Sequence, residues 1–235
     1  MLILEPFASH PAVFIAGCVV LGLLVGSFLN VVIYRVPVMM EMALRAECAE
    51  LNDPVAGGDS PPPPFNLATP RSRCPSCQAP ITVLQNIPVV SWLALGRKCG
   101  SCKASISARY PAVELATGVL TGLVAWHFGF GATALAAMVF TWFLIALTMI
   151  DFDTQFLPDQ LTYPLLWLGL IVSLCHPVWA EGVAPVTPSD SVIGAVAGYL
   201  SLWSVFWAFK LLTGKEGMGY GDFKLFAALG AWMGW

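Results

Sequence analysis

The sequence predicts an all-α polytopic membrane protein that carries a small cytoplasmic, zinc-ribbon-like domain. Three observations lead there. Of 235 residues, 57% are hydrophobic and only 11% charged, with a mean hydropathy of +0.76, values outside the range of soluble globules. Leu115–Ile150 is a run of 36 residues without Asp, Glu, Lys or Arg. Four cysteines stand as two CxxC pairs, Cys74-Pro-Ser-Cys77 and Cys99-Gly-Ser-Cys102, inside a long polar stretch. The net charge of -3, with no extended basic segment, gives no reason to expect nucleic-acid binding.

Residues 1–35 hold the first span. The apolar run Pro11–Tyr34 meets the roughly 20 residues a crossing needs, and Gly17, Gly22, Gly26 and Ser27 suit close helix packing in lipid. It lacks a basic n-region and a small-residue cleavage site, so it reads as a retained span and not a signal peptide. Arg35 and Pro37 close the run. Residues 36–111 then form a water-exposed loop domain. With Arg35 they hold eight of the eleven Lys and Arg residues, the proline-rich Asp59–Pro64 segment and the cysteine pairs, and residues 49–68 are expected to be irregular.

Residues 112–235 make a bundle of about four full spans and the start of a further one. As helix, the uncharged run would be about 54 Å long, too long for one crossing and enough for two with a turn at Gly129-Phe130-Gly131. Further spans cover 161–175 and 191–209, the latter capped by Ser189-Asp190 after a linker from Pro177. Lys and Arg cluster at 35–109 and 210–224. Both clusters belong on the cytoplasmic side by the positive-inside rule, so an even number of crossings separates them, and four satisfies both length and charge. Asp151, Asp153, Asp159 and Asp222 then face the cytoplasm.

Those acids are the chemistry-bearing groups of the bundle. Gly217-Met-Gly-Tyr-Gly-Asp222 sets a carboxylate behind three alternating glycines, which read as turn formers that aim it; the bland alternative is an N-cap for the last helix. Asp159, after Pro158, is best explained as an N-cap. Asp151 and Asp153 are two apart and do not share a helix face, so at most one of them meets Asp222. Two carboxylates in contact share a proton, an arrangement that activates water on one and polarises a carbonyl with the other. An ion or proton relay in a transporter or secretion-assembly subunit uses buried acids equally well, and these residues alone leave both open.

Cys74, Cys77, Cys99 and Cys102 are read as a structural Zn²⁺ site. Two knuckles of two thiolates complete a tetrahedron and leave no open position for substrate. The alternative, a pair of disulfides, does not suit a reducing cytoplasm. Cys18, Cys48, Cys175, His10, His127 and His176 receive no role, and Met39-Met-Glu-Met42 reads as an interfacial apolar patch.

Assembled, the chain resembles the type IV prepilin peptidases, membrane leader peptidases of pilus and type II secretion systems. The resemblance rests on Gly26-Ser-Phe-Leu-Asn-Val-Val-Ile-Tyr-Arg35 with Pro37, Arg73-Cys-Pro-Ser-Cys77, Asn86-Ile-Pro88, Ser91-Trp92, Cys99-Gly-Ser-Cys102, Arg109-Tyr-Pro111 with Glu114, Ile150-Asp151 through Leu157-Pro-Asp159, and Gly217 to Leu225. It implies an aspartic endopeptidase of the bacterial inner membrane that removes the basic leader of prepilins and pseudopilins on the cytoplasmic face. It also implies N-methylation of the new terminus with S-adenosylmethionine as donor, although no dinucleotide-type glycine motif or other residue can be assigned to that cofactor on chemical grounds. The resemblance chooses Asp151 and Asp222 as the catalytic acids, supported by Gly219 and Gly221, with Asp153 as fallback. Family members continue past the position of Trp235, and the 13 residues after Asp222 are too few to cross, so the chain is expected to be truncated at its C-terminus.

Overall fold

The structure is a computed structural model that describes residues 10–52, 65–82, 84–175 and 186–235. The expectations for the Asp59–Pro64 segment, for the linker up to residue 185 and for His176 lie outside the described residues. Among the described residues the regular structure is helical throughout, with two isolated β-bridges. Seven α-helices are described: α1 (Pro11–Asn52), α2 (Val90–Ala94), α3 (Arg109–Phe128), α4 (Ala132–Thr154), α5 (Asp159–Leu174), α6 (Pro188–Thr213) and α7 (Tyr220–Met233).

Every apolar run of the sequence is helical, and the uncharged stretch divides where length demanded. Helix α3 ends at Phe128, Gly129 closes it with φ 68°, and α4 opens at Ala132. Among the described residues three helices are long and apolar enough to cross a bilayer, in the segments Pro11–Ala49, Ala132–Thr154 and Pro188–Thr213. Only 11% of the most apolar window of α6 is buried within the protein. Side chains such as Leu24, Val119, Leu135 and Val205 are more than half exposed, which in a chain of this composition means lipid-facing.

The first span differs from the sequence expectation at its end. Arg35 closes the apolar run but not the helix, which continues past Pro37 to Asn52. Met, Glu, Ala, Leu and Arg in 39–51 are strong helix formers, and an Arg45–Glu41 pair at 2.5 Å supports the exposed face. By its contacts the chain divides into two compact units, Met1–Gly129 and Phe130–Trp235, with α3 packed on α1.

In the first unit α1 and α3 run antiparallel through small residues. A Cβ at Gly22 would stand 2.6 Å from Thr121 Oγ1, one at Gly26 2.8 Å from the Glu114 Cα, and one at Gly122 2.6 Å from Val19. With lipid on the outer faces, this close approach is the main attraction between helices. Thr117 and Thr121 are fully buried and spend their hydroxyls on the carbonyls one turn back, Val113 and Thr117.

In the second unit α7 lies between α5 and α6. It runs antiparallel to α6 with nearly touching backbones: a Cβ at Gly230 would be 2.0 Å from the Gly194 carbonyl, and Ser191 Oγ donates to Ala231 O at 2.6 Å. It runs parallel to α5, where Trp232 Nε1 donates to Leu165 O at 2.8 Å. Leu147 of α4, Leu157, Leu165 and Ala228 form the buried core, ringed by Phe140, Phe143 and Trp232. At the start of α6 the capping residue is Thr187, two or three residues before the expected Ser189-Asp190. Its Oγ1 accepts the Asp190 N–H at 3.2 Å, and Pro188 follows at the first helical position.

Candidate active site and metal centre

Cys74 and Cys99 open two turns of the same build. The Cys74 N–H donates to Ala79 O at 2.9 Å and the Gln78 N–H to Cys74 O at 2.9 Å; in the second turn Cys99 N–H donates to Ala104 O at 2.8 Å and Lys103 N–H to Cys99 O at 3.1 Å. Gln78 and Lys103, equivalent in the two turns, are both left-handed, with φ 58° and 61°. Bridges join Arg73 to Pro80 and Lys98 to Ser105. The second turn is braced by Trp92, which donates to Ile106 O at 3.2 Å and lies under the Arg97 guanidinium at 5.0 Å.

The repeated turn brings the four thiols together: all four Sγ atoms lie within 4.8 Å of one another, and Cys74 Sγ is 3.8 Å from Cys102 Sγ. Tetrahedral Zn²⁺ with Zn–S bonds of about 2.3 Å requires sulfur–sulfur distances of about 3.8 Å, so number, type and spacing of donors fit a closed metal site. All seven cysteines are free thiols in this structure. Backbone N–H groups of Cys77 and Ser76 hold the Cys74 thiol down at about 6, and those of Cys102 and Ser101 lower Cys99. At Cys102 the Ala104 N–H pulls down, but the Cys77 side chain, burial, and Cys99 and Cys74 outweigh it and push the thiol up to about 11. Converging thiolates repel, and a cation between them is what allows all four to ionise.

Two buried charges tie this module to the helix pair of its own unit. Arg35, 7% exposed, donates to Asn66 O at 2.7 Å and to Pro70 O at 2.5 Å and stacks on Phe65. Glu114, also buried, accepts the Val89 N–H at 2.8 Å. Both residues belong to stretches that carried the resemblance, but their task was not legible: nothing in the sequence says which carbonyls a buried guanidinium will meet.

The acids lie in the second unit. Asp151 is in the last turn of α4, with its side chain exposed. Its carbonyl accepts the Gln155 N–H at 2.7 Å, and Gln155, left-handed at φ 52°, ends the helix. Leu157 and Pro158 then turn the chain into α5. Asp222 is half-buried in the first turn of α7. The next-door Gly221 lies on Leu157, where a Cβ would come within 2.8 Å of the Leu157 Cβ. The C-terminal end of α4, the start of α5 and the start of α7 therefore share one end of this unit, and Asp151 and Asp222 share it with them. Asp153, also exposed, is on the same final turn of α4.

The glycines before Asp222 act differently from the expectation. Gly217, Gly219 and Gly221 are not among the residues with positive φ, and Gly219, the N-cap of α7, has an ordinary extended backbone at φ -80°. Gly221 is needed for the close seat on Leu157, and Gly217 for room against the Phe209 ring, 2.9 Å from a hypothetical Cβ. The Asp159 expectation is also corrected. Pro158 occupies the N-cap position with no side-chain cap, and Asp159 instead takes the Lys224 ammonium on both carboxylate oxygens, each at 2.7 Å. Lys224 is the residue that sequence reasoning missed. Its signal was there: an ammonium one turn into an apolar helix needs a counter-charge.

Fold and site together define a polytopic helical membrane protein with a cluster of four thiols at metal-ligand spacing and two acids at one end of its second helical unit. The family described as the Bacterial Peptidase A24 N-terminal domain matches residues 20–128, and the Type IV leader peptidase family matches 138–235. The chain is 56% identical over 238 residues to a prepilin leader peptidase/N-methyltransferase of Pseudomonas aeruginosa, covering 100% of this chain and 78% of that one. It is 55% identical over 231 residues to one of Stutzerimonas stutzeri, with 98% and 77% covered. A counterpart in Neisseria gonorrhoeae is 55% identical over 233 residues, with 99% and 76% covered. No solved structure matches. The chain belongs to the type IV leader peptidase family, and it is an enzyme.

Proposed function

We propose that the chain removes the leader from prepilins and pseudopilins by aspartic catalysis, with Asp151 and Asp222 as the two acids, and then N-methylates the new terminus. The substrate and both activities follow from relatives of more than half identity over nearly the whole chain, each named prepilin leader peptidase/N-methyltransferase. The observation that carries the site is the meeting of Leu157 and Gly221, which seats the chain segment following Asp151 against the residue next to Asp222. One ionised carboxylate would take a proton from water while its protonated partner polarises the scissile carbonyl. Gly219 and Gly221 support the acid by letting α7 begin flush against its neighbours.

The enzyme works in the inner membrane with the acids toward the cytoplasm, as the Lys and Arg clusters at 35–109 and 210–224 require. In that setting residues 1–35 serve as the first span, 36–111 as the cytoplasmic domain and 112–235 as the peptidase bundle. Zn²⁺ is the ion that four converging thiolates suit, and with no open coordination position it is structural. The methyl donor is S-adenosylmethionine. No residue of this chain is assigned to it, and no step is derived through it. The test is incubation of the membrane-embedded enzyme with a prepilin, followed by mass measurement of the product. Loss of the leader mass with one added methyl group supports the whole reading; an unchanged prepilin sinks it.

A further inference from the structure

The Asp159–Lys224 pair does more than join two helices. Lys224 follows Asp222 by two residues, about 200° around an α-helix. Gly221 and Lys224, three apart, share a face, and both contacts on that face are with the start of α5: Gly221 on Leu157, and the Lys224 ammonium in the fork of Asp159. The ammonium also lies 5.1 Å from the centre of the Tyr163 ring, one turn further along α5. Leu157 just before α5, and Asp159 and Tyr163 within it, thus take hold of one side of the first turn of α7, and Asp222 is left on another side. On its opposite flank α7 packs on α6 through close backbone at Gly194 and Gly230 and, nearer its start, through the Phe223 ring, whose centre is 5.9 Å from that of Tyr199 and 5.5 Å from that of Phe206.

We infer that Asp159 and Lys224 are positioning residues that fix the rotation of α7 about its axis and so the direction in which Asp222 presents its carboxylate. The inference rests on Asp222 being a catalytic acid. A carboxylate must be set to within about half an ångström to act on a bound peptide, and a modest turn of the helix moves it further than that. The Lys224 ammonium, held by both Asp159 oxygens, adds on the α5 side a charged restraint to the aromatic packing of Phe223 on the α6 side.

The test measures cleavage of a prepilin by the full chain in membranes or detergent, with rates expressed per folded molecule. K224M and D159N should each lower kcat at least tenfold with KM within twofold of the parent. The double variant should be no slower than the slower single one, since both remove the same constraint. K224R, which keeps a positive charge for Asp159, should restore at least a third of the parent rate. A fall in kcat smaller than threefold, a loss carried by KM instead, or a K224R as slow as K224M would each overturn the inference. D159N provides the same measurement from α5 if K224M does not accumulate. D222N separates the two claims: if it cleaves normally, the dyad itself fails, whereas an inactive D222N beside a normal K224M removes only the positioning role.

Discussion

Cys74 and Cys102 are 28 residues apart, in two turns whose local backbone hydrogen bonds shape each knuckle, while Asp151 and Asp222 are 71 residues apart and each stands at the end of a different helix. The four-thiol cluster of the first unit is built from short-range geometry repeated twice. The acidic end of the second unit depends on how helices slide and rotate against one another, through contacts such as Gly230 on Gly194 and Lys224 on Asp159. One site is set by its ligands and the other by the packing around it. Damage to the two should therefore look different.

The largest effect is expected at the metal. Removing it with a chelator, or replacing Cys74 or Cys99 with Ser, forfeits metal-linked folding energy on the order of 10 kcal/mol. Metal content should fall to zero and proteolysis should begin between residues 65 and 108, with the helices of the second unit retaining their melting transition. Acid should act in the same direction. Cys74, held near 6, keeps its thiolate until the pH falls through that value, and Cys102, near 11 without a cation, must give up its proton for metal to bind at neutral pH. Proton release on binding, and an affinity for metal that weakens as the pH falls, follow from competition between protons and metal for the same thiolates. A pH-independent affinity would break this side of the comparison.

Next comes G230V. Its Cβ would sit 2.0 Å from the Gly194 carbonyl, and backbone cannot yield as a side chain can, so a loss of about 3 kcal/mol or more is expected. Thermal melting in detergent should fall while metal content stays at the parent level. A simultaneous loss of metal would show that the two units do not fail separately. R35M should do the reverse. It gives up charge-assisted bonds to Asn66 and Pro70, at about 2–3 kcal/mol, and should speed metal release without changing the melting of the second unit.

How much of this was legible follows the same division. The cysteine spacing announced its site because the chemistry of a knuckle is local. The runs of apolar residues announced their helices, and the length of the uncharged stretch placed the turn at Gly129. Three features were hidden. Helix α1 outlasts its apolar run, since helix propensity after Arg35 is independent of hydropathy. Asp159 looked like a cap because a proline precedes it, and only the tertiary fold reveals that its carboxylate faces Lys224. The glycines near Asp222 looked like turn formers, yet their role is close approach, which depends on Leu157 and Phe209. At the small end, T187A tests a local feature of the second unit: losing the N-cap of α6 should cost about 1 kcal/mol, read as a slight drop in melting temperature with cleavage unaffected.

The central claim, that two helix ends carry the acids of one peptidase site, is most directly tested by cleavage of a prepilin by D151N and D222N beside the parent, with metal content measured in all three. The account predicts that each variant accumulates, keeps its metal and loses cleavage by at least a thousandfold. Full cleavage by either variant would contradict it.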